Sequence, residues 1–290
     1  MRVAIVDVGS NTVRLLVVRR EAGAITTVRE ARAYVGLGEQ LAGGGSISDE
    51  KVAEACCVVA GYVALAKGAR AAAIEVVVTA PGRKNTTARR LLSELRRAAL
   101  APVRVLSSDE EAALSFAGAM ASTPSAACTL TVCDVGGGST ELAAGRRSMG
   151  AGWTRSFDLG SLQLTTTAME HDPPDLRDVA AARLQAAIAL RDVAFPSSEL
   201  ALATGGTARA LSKLVGAQLG EAQLNEALAL LSSAPSHVLA ARFGLAPWRT
   251  RTLAAGAAIL AEVERALGRP LEVVRGGLRE GAALALLDQL

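Results

Sequence analysis

The sequence contains an internal repeat, and this repeat restricts the fold more than any other feature of the chain. Residues 3–12 read VAIVDVGSNT, and residues 130–139 read LTVCDVGGGS. In each copy a short apolar run leads to an aspartate, Asp7 or Asp134, which a glycine-rich turn follows. One such turn is common, but two copies in the same strand-turn-strand setting indicate a duplicated unit. The sequence therefore predicts two related halves that each begin with a β-hairpin.

The order of the predicted elements repeats in the same way. Each half reads as three strands followed by alternating helices and strands. The run at 74–78 is short and β-branched, as a buried strand is, and Ser48 precedes two acids that favour a helix N-terminus. A proline-containing linker at 121–126 separates two expected domains, 1–122 and 127–290. We expect an α/β fold with a duplicated βββαβαβα order, an active-site cleft between the domains, and a final helix that can pack back on the first domain.

The individual elements follow from apolar periodicity and turn residues. The predicted strands lie at 2–7, 12–19, 25–35, 74–78, 103–106, 129–134, 140–144, a third strand ending near 155–159, 200–203 and 271–274. The predicted helices lie at 48–67, 86–100, 109–120, 161–169, 176–193, after 206, over most of 221–267 and at 279–287.

Composition excludes several classes of function. Half of the residues are hydrophobic and 20% are charged, which is typical of a chain with a large core. A net charge of +3 and an aromatic content of 3% disfavour a nucleic-acid-binding surface. The longest apolar runs, such as 253–260, are too short to span a bilayer, and we expect no secretory signal before the first strand. We expect a cytoplasmic protein without nucleic-acid or membrane partners, in which 253–260 serves either as core or as the interface of a homodimer.

Three glycine-rich segments are candidates for phosphate binding, because backbone N–H groups approach an anion closely where no Cβ intervenes. The segment GGGST at 136–140 is the plainest, since three consecutive glycines cost backbone entropy that a two-residue hairpin turn does not need. The segment GSN at 9–11 alone could be an ordinary turn, and GGT at 205–207 joins a strand to the positive end of a helix. Three such segments predict a phosphate or polyphosphate ligand. Because only four of the 31 basic residues are lysines, arginine is the expected partner of the anion.

Acidic residues flank these segments. Asp134 and Glu141 end one hairpin strand and begin the next, so both can face the cleft. Carboxylates repel a phosphate unless a cation intervenes, and a few carboxylates with phosphate oxygens are the usual ligands of Mg²⁺. Each acid alone could be a turn cap or an ion-pair partner, but together they predict a site for Mg²⁺ or Mn²⁺. The acids at 109–111 open a helix, where acids are ordinarily favourable; one of them could instead act as a general base on water, and periodicity does not choose which.

Two facing hairpins of this kind resemble the superfamily of actin, sugar kinases and heat-shock-chaperone ATPases, which have actin-like (ribonuclease H-like) domains. More specifically, the chain resembles the exopolyphosphatase and guanosine-pentaphosphate phosphatase (Ppx/GppA) family in its short, two-domain form. The resemblance covers essentially the whole chain. It is carried, in order, by DVGSNT at 7–12, TAPGR at 79–83, SDEEA at 108–112, DVGGGSTE at 134–141, GGT at 205–207 and GLREG at 277–281.

The resemblance implies a hydrolase that releases terminal phosphate from inorganic polyphosphate or guanosine pentaphosphate by metal-assisted attack of water. It implies that Glu111 is the general base and that Asp134 and Glu141 hold the Mg²⁺ or Mn²⁺ ion. It also implies a set of phosphate-binding residues: Gly9, Ser10, Asn11, Arg83, Gly136, Gly137, Gly138, Ser139, Gly206 and Thr207.

Three positions depart from the pattern of the family. Ser108 replaces the glycine before the acidic pair, Gln163 stands where a basic cleft residue is expected, and Arg251 stands where an acid is expected. With one basic residue fewer and a small net charge, we expect a preference for short polyphosphates, with long chains handled distributively. Two alternatives stay open: a binder of guanosine polyphosphates that does not hydrolyse them, and a small-molecule kinase of the same superfamily. The glutamate at 111 and the lack of a sugar-site motif disfavour the kinase.

Overall fold

The first of two β-sheets is built around the N-terminal hairpin. The structure is a computed structural model, and it describes residues 1–21, 24–41, 45–83 and 88–290. The sheet has the strand order β3-β2-β1-β4-β5, with β2 antiparallel to both of its neighbours and the other pairs parallel. Its strands are β1 (Arg2–Val8), β2 (Thr12–Glu21), β3 (Ala24–Tyr34), β4 (Ala73–Val78) and β5 (Val103–Val105).

The second sheet repeats this topology. Its order is β10-β11-β9-β6-β7-β8, so that β8-β7-β6-β9-β11 corresponds to the whole of the first sheet, with the same pattern of antiparallel and parallel pairs. The duplicated α/β fold predicted from the repeat is therefore confirmed. The strands are β6 (Thr129–Val135), β7 (Thr140–Arg146), β8 (Gly150–Phe157), β9 (Leu200–Thr204), β10 (Gln218–Leu219) and β11 (Leu271–Val273).

Helices cover both faces of the sheets. The first half contains α1 (Leu37–Leu41), α2 (Asp49–Gly68), α3 (Ala80–Arg83), α4 (Ala88–Ala99) and α5 (Ser108–Ser122). The second half contains α6 (Ser161–Ala168), α7 (Leu176–Leu190), α8 (Gly205–Val215), α9 (Glu221–Leu231), α10 (Ser236–Phe243), α11 (Pro247–Arg251), α12 (Leu253–Leu267) and α13 (Leu278–Asp288). The helix predicted from residue 86 begins outside the described residues, and the one predicted over 176–193 ends at Leu190. The short helix α3 was not predicted.

The alternation of side chains along β1 explains how the first sheet is covered. Ala4, Val6 and Val8 point into a core formed with α2 and α4. Val3 and Ile5 point to the opposite face, where they pack against residues of α13. Because side chains alternate along a strand, one hydrophobic strand supplies both cores, and the last helix of the chain lies on the first sheet.

The apolar run at 253–260 belongs to the core. It lies in α12, in which every residue from Leu253 to Val263 is buried. These side chains form one cluster with α7, α9 and the second sheet. The sequence left open whether this run is part of the core or part of a homodimer interface, and the structure places it in the core. None of the helices in the described ranges combines the length and apolarity that a membrane-spanning segment needs.

Glycines allow α5 and α13 to pack backbone to backbone between the two sheets. A Cβ on Gly118 would overlap the carbonyl oxygen of Gly277, and a Cβ on Gly281 would overlap that of Leu114. This contact joins the helix that begins near the acids 109–111 to the helix that lies on the first sheet. It therefore fixes the position of those acids relative to both hairpins.

Candidate active site between the two sheets

The glycine-rich turns of the two hairpins touch across the cleft. A Cβ on Gly137 would lie 2.8 Å from Nδ2 of Asn11, and a Cβ on Gly138 would lie 2.8 Å from Oγ of Ser10. A side chain at either position would have to displace the side chain of Asn11 or Ser10, which is a structural reason for the glycines. The turns of the duplicated unit thus form the two walls of one site.

The cleft collects most of the residues predicted for the site. The third glycine-rich segment, at the start of α8, closes its floor. The predicted residues that line the cleft are Gly9, Ser10, Asn11, Glu111, Asp134, Gly136, Gly137, Gly138, Ser139 and Gly206. The other three, Arg83, Glu141 and Thr207, lie behind its walls.

Asp134 and Glu141 are directly opposite each other on β6 and β7, so their side chains share a face of the sheet. Ser115 donates a 3.1 Å hydrogen bond to Asp134, and Ser156 donates a 2.9 Å bond to Glu141. Burial raises the pKa of Asp134, and burial raises the pKa of Glu141 to about 7. Both carboxylates are therefore held in an environment that opposes their negative charge.

The helix α5 separates the three acids that the sequence could not distinguish. Glu110 forms a capping box with Ser107, accepting a 2.7 Å bond from the backbone N–H of Ser107 and donating its own N–H to the Ser107 hydroxyl. Asp109 accepts a 2.6 Å bond from Thr154. Glu111 alone of the three lines the cleft, where burial and the nearby Glu141 carboxylate raise its pKa well above the usual value.

Arg83 binds the acids of the site. Its Nη1 donates a 2.7 Å bond to Glu111 and a 2.8 Å bond to the carbonyl oxygen of Leu106. Its Nη2 lies 4.0 Å from Glu141. The guanidinium therefore links two carboxylates that would otherwise repel each other.

A further carboxylate, Asp7, has no partner for one of its oxygens. The Oδ1 atom of Asp7 is buried and makes no hydrogen bond within the described ranges of the chain. Burial raises the pKa of Asp7 to about 6, although Arg14 lies nearby. Asp7, Glu111, Asp134 and Glu141 thus offer carboxylate oxygens and one orphaned acceptor. Carboxylate oxygens are the ligands that a hard divalent cation prefers in proteins.

Elsewhere, His171, Asp175 and Asp178 bring three potential ligand atoms within 4.8 Å of one another. Asp175 caps α7, and Asp178 accepts bonds from the backbone N–H groups of Glu170, His171 and Asp175. These hydrogen bonds explain why the three residues are close together: the two aspartates stabilise the turn before α7.

Four arginines in the cleft were not predicted. They are Arg14 on β2, Arg209 on α8, Arg249 on α11 and Arg279 on α13. Arg14 lies opposite Asp7 in the hairpin register, and burial lowers the pKa of Arg14 to about 9. Burial likewise lowers the pKa of Arg249 to about 10.

Two of these arginines make neither a hydrogen bond nor an ion pair with the described part of the protein. Arg279 pairs with Glu30 and Glu280 at 3.6 Å, and Arg209 donates to the Arg275 carbonyl at 2.9 Å. In contrast, Arg14 and Arg249 form neither a hydrogen bond nor an ion pair with any residue that the structure describes. Uncompensated guanidinium groups at the wall of a cleft are suited to an anionic ligand. Arg14 and Arg279 stand within or beside the quoted motifs, but Arg209 and Arg249 carried no local pattern.

The remaining predicted positions support the cleft from behind. The hydroxyl of Thr207 donates a 2.8 Å bond to the carbonyl oxygen of Val135, so a phosphate contact at this position would come from the backbone. With its amide turned so that the nitrogen faces them, Gln163 donates to the carbonyl oxygens of Gly138 and Asp158 at 3.2 Å. Arg251 donates to the Met169 carbonyl at 3.0 Å. Gln163 therefore supports the glycine-rich loop instead of lining the cleft.

Comparison with known proteins places the chain in a family. The sequence profile of the Ppx/GppA phosphatase family matches residues 16–290. Exopolyphosphatase 2 of Mycobacterium tuberculosis is 31% identical over 191 residues, which cover 63% of this chain and 59% of that protein. Exopolyphosphatase 1 of Mycobacterium bovis is 28% identical, covering 99% of this chain and 89% of that protein.

A solved structure shows the same two-domain, actin-like fold. The Aquifex aeolicus member of the Ppx/GppA family superposes with a TM-score of 0.85 at 24% identity, covering 100% of this chain and 98% of that one. The profile match extends over nearly the whole chain, so this protein belongs to the Ppx/GppA phosphatase family.

Proposed function

We propose that this protein is an exopolyphosphatase, which removes the terminal phosphate of inorganic polyphosphate by hydrolysis. The observation that carries the proposal is one cleft in which buried carboxylates face two arginines without protein partners, with glycine-rich turns between them. The arginines suit a ligand with several negative charges, and the carboxylates suit the cation that such a ligand brings or requires. The names of the relatives point to the same substrate class.

The reacting phosphate would lie against the loop at 136–139, where backbone N–H groups are accessible because the glycines have no Cβ. Arg14 and Arg249 would neutralise the following phosphates. A divalent cation, Mg²⁺ or Mn²⁺, held by Asp134 and Glu141 with the free oxygen of Asp7, would supply charge neutralisation at the reacting phosphate.

Glu111 would take the proton of the attacking water on its carboxylate. A general base works best when its pKa is near the working pH, and burial shifts the pKa of Glu111 in that direction. The ion pair with Arg83 would fix which way this carboxylate points. In this proposal Arg83 positions the base, in place of the phosphate contact expected from the family resemblance.

The same chemistry on guanosine pentaphosphate is a second candidate. Tyr34 and Trp248 stack with ring centroids 4.6 Å apart beside the cleft. Both residues line a neighbouring cavity that meets the cleft at Asn11. Such an aromatic surface next to a phosphate site could contact a nucleobase.

Phosphate release from long-chain polyphosphate, tripolyphosphate and guanosine pentaphosphate, each with Mg²⁺ and with excess chelator, tests the proposal. We expect metal-dependent release from polyphosphate. Binding of guanosine pentaphosphate without release of phosphate from any substrate would favour the non-hydrolytic binder. Transfer of phosphate to a small acceptor in place of water would favour the kinase.

A further inference from the structure

A row of charged residues crosses the first sheet from the cleft to its outer edge. In the strand register Asp7 on β1 is opposite Arg14 on β2, and Arg14 is opposite Arg32 on β3. Residues that are directly opposite in an antiparallel pair share a face, with Cβ atoms about 4.5–5.5 Å apart. Because β3 is the edge strand, Arg32 continues the line of the cleft arginines toward solvent.

Arg32 also lies beside the arginine that the second half contributes. Tyr34 is two residues further along β3, so it shares the face of Arg32. Tyr34 stacks on Trp248, and the Arg249 guanidinium lies 4.6 Å from the centroid of the Trp248 ring. The strand register and the aromatic stack therefore place Arg32 near both Arg14 and Arg249.

The protein itself does not compensate this charge. Like charges directly opposite in a hairpin are destabilising, yet Arg14 and Arg32 occupy such a pair. Glu30 is the carboxylate on the same face of β3, and it lies 3.6 Å from Arg279. Arg32 has neither an ion pair nor a hydrogen bond with the described part of the chain. A cross-strand arginine pair that forms no ion pair with a carboxylate is suited to an anion that extends from one guanidinium to the next.

We propose that Arg32, next to the cleft residue Arg249, forms an outer subsite that binds phosphates of a linear polyphosphate beyond those held in the catalytic cleft. This inference rests on the proposed function, and it names the class of substrate: chains long enough to reach the edge of the first sheet. It replaces the expectation of a preference for short polyphosphates, which assumed that Gln163 interrupts a basic path. In the structure Gln163 lies behind the loop, and the basic path runs over β2 and β3 instead.

The matched pair Arg32→Gln and Arg29→Gln tests the outer subsite. Both residues are exposed on β3, but Arg29 is opposite Val17, whose side chain points to the other face of the sheet. Both variants lose one positive charge from the same strand. Dissociation constants for long-chain polyphosphate and for tripolyphosphate would be measured by calorimetry with each change placed in a Glu111→Gln protein, so that binding is separated from turnover.

We expect Arg32→Gln to weaken long-chain binding about two- to fivefold and tripolyphosphate binding less. The slope of log Kd against log salt should fall by about 0.7. Arg29→Gln should leave both constants unchanged. Equal losses for the two ligands, equal effects of the two variants, no effect of Arg32→Gln or no long-chain binding would each overturn the subsite. Absence of phosphate release by the wild-type protein would overturn the proposed function instead, because the binding comparison does not depend on turnover.

Discussion

Replacing Glu111 by glutamine removes a carboxylate from the cleft while keeping the size of the side chain. If Glu111 is the general base, kcat should fall about 10²–10⁴-fold, which corresponds to about 3–5 kcal/mol in the activation barrier. The free energy of unfolding should change by only about 1–2 kcal/mol. The change relieves repulsion between Glu111 and Glu141, but it also removes the 2.7 Å ion pair with Arg83.

Glu110→Gln is the matched control, because it makes the same chemical change one residue earlier. Glutamine can still accept the N–H of Ser107 in the capping box. Only the half-exposed ion pair with Arg104 is lost, which is worth about 0.2–1 kcal/mol. Phosphate-release kinetics and urea unfolding of both variants decide the matter. A near-normal kcat for Glu111→Gln, or an equal loss for Glu110→Gln, would refute the assignment of the base.

Three further predictions concern packing, positioning and pH. Gly281→Ala should lower the free energy of unfolding by about 1–3 kcal/mol, because its Cβ would meet the Leu114 carbonyl. Gly61→Ala, at an open position within α2, should raise the free energy of unfolding by about 0.5–1 kcal/mol. Urea unfolding of both variants measures the two changes. Arg83→Lys should lower kcat with little change in KM, because Arg83 positions Glu111. A raised KM with a normal kcat would instead indicate that Arg83 contacts the phosphate. With chelator present, stability should fall as pH rises from about 4.5 to about 7, because folded Glu141 holds its proton more tightly than unfolded Glu141 does. Glu141→Gln should make this decline less steep without abolishing it, because Asp7 and Glu111 also have raised pKa values. Added Mg²⁺ should restore stability at pH 7 in the wild-type protein.

The hairpins were predictable because local sequence determines them. An apolar run with a side-chain period of two, followed by glycine, specifies a strand and its turn wherever it occurs. The register that places Asp134 opposite Glu141 follows from the six residues between them. The repeated motif then predicted two sheets of the same topology, and the structure confirms this.

The arginines could not be predicted, because their positions depend on packing between distant segments. Arg249 on α11 lies against Gly206, where an added Cβ would be 2.7 Å from the guanidinium Nη2. Gln163 was expected to interrupt the basic lining of the cleft, but α6 directs it to the back of the loop at 136–138. Glu110 and Glu111 are adjacent acids on the first turn of one helix, and only the tertiary environment of α5 distinguishes them.

The charges of the cleft are arranged at the expense of the stability of the empty protein. Asp7 and Arg14 are opposite each other, yet the pKa of the acid is raised and that of the base is lowered, so the loss of hydration outweighs their mutual attraction. Burial likewise raises the pKa of Glu141 and lowers the pKa of Arg249. A site of this kind favours a ligand that brings both signs of charge at once, because a cation alone leaves the arginines uncompensated and a polyanion alone meets the carboxylates. The metal complex of a polyphosphate satisfies both sets of groups. Because this complex would bind only the folded state, its binding would offset the destabilisation that the buried charges cause.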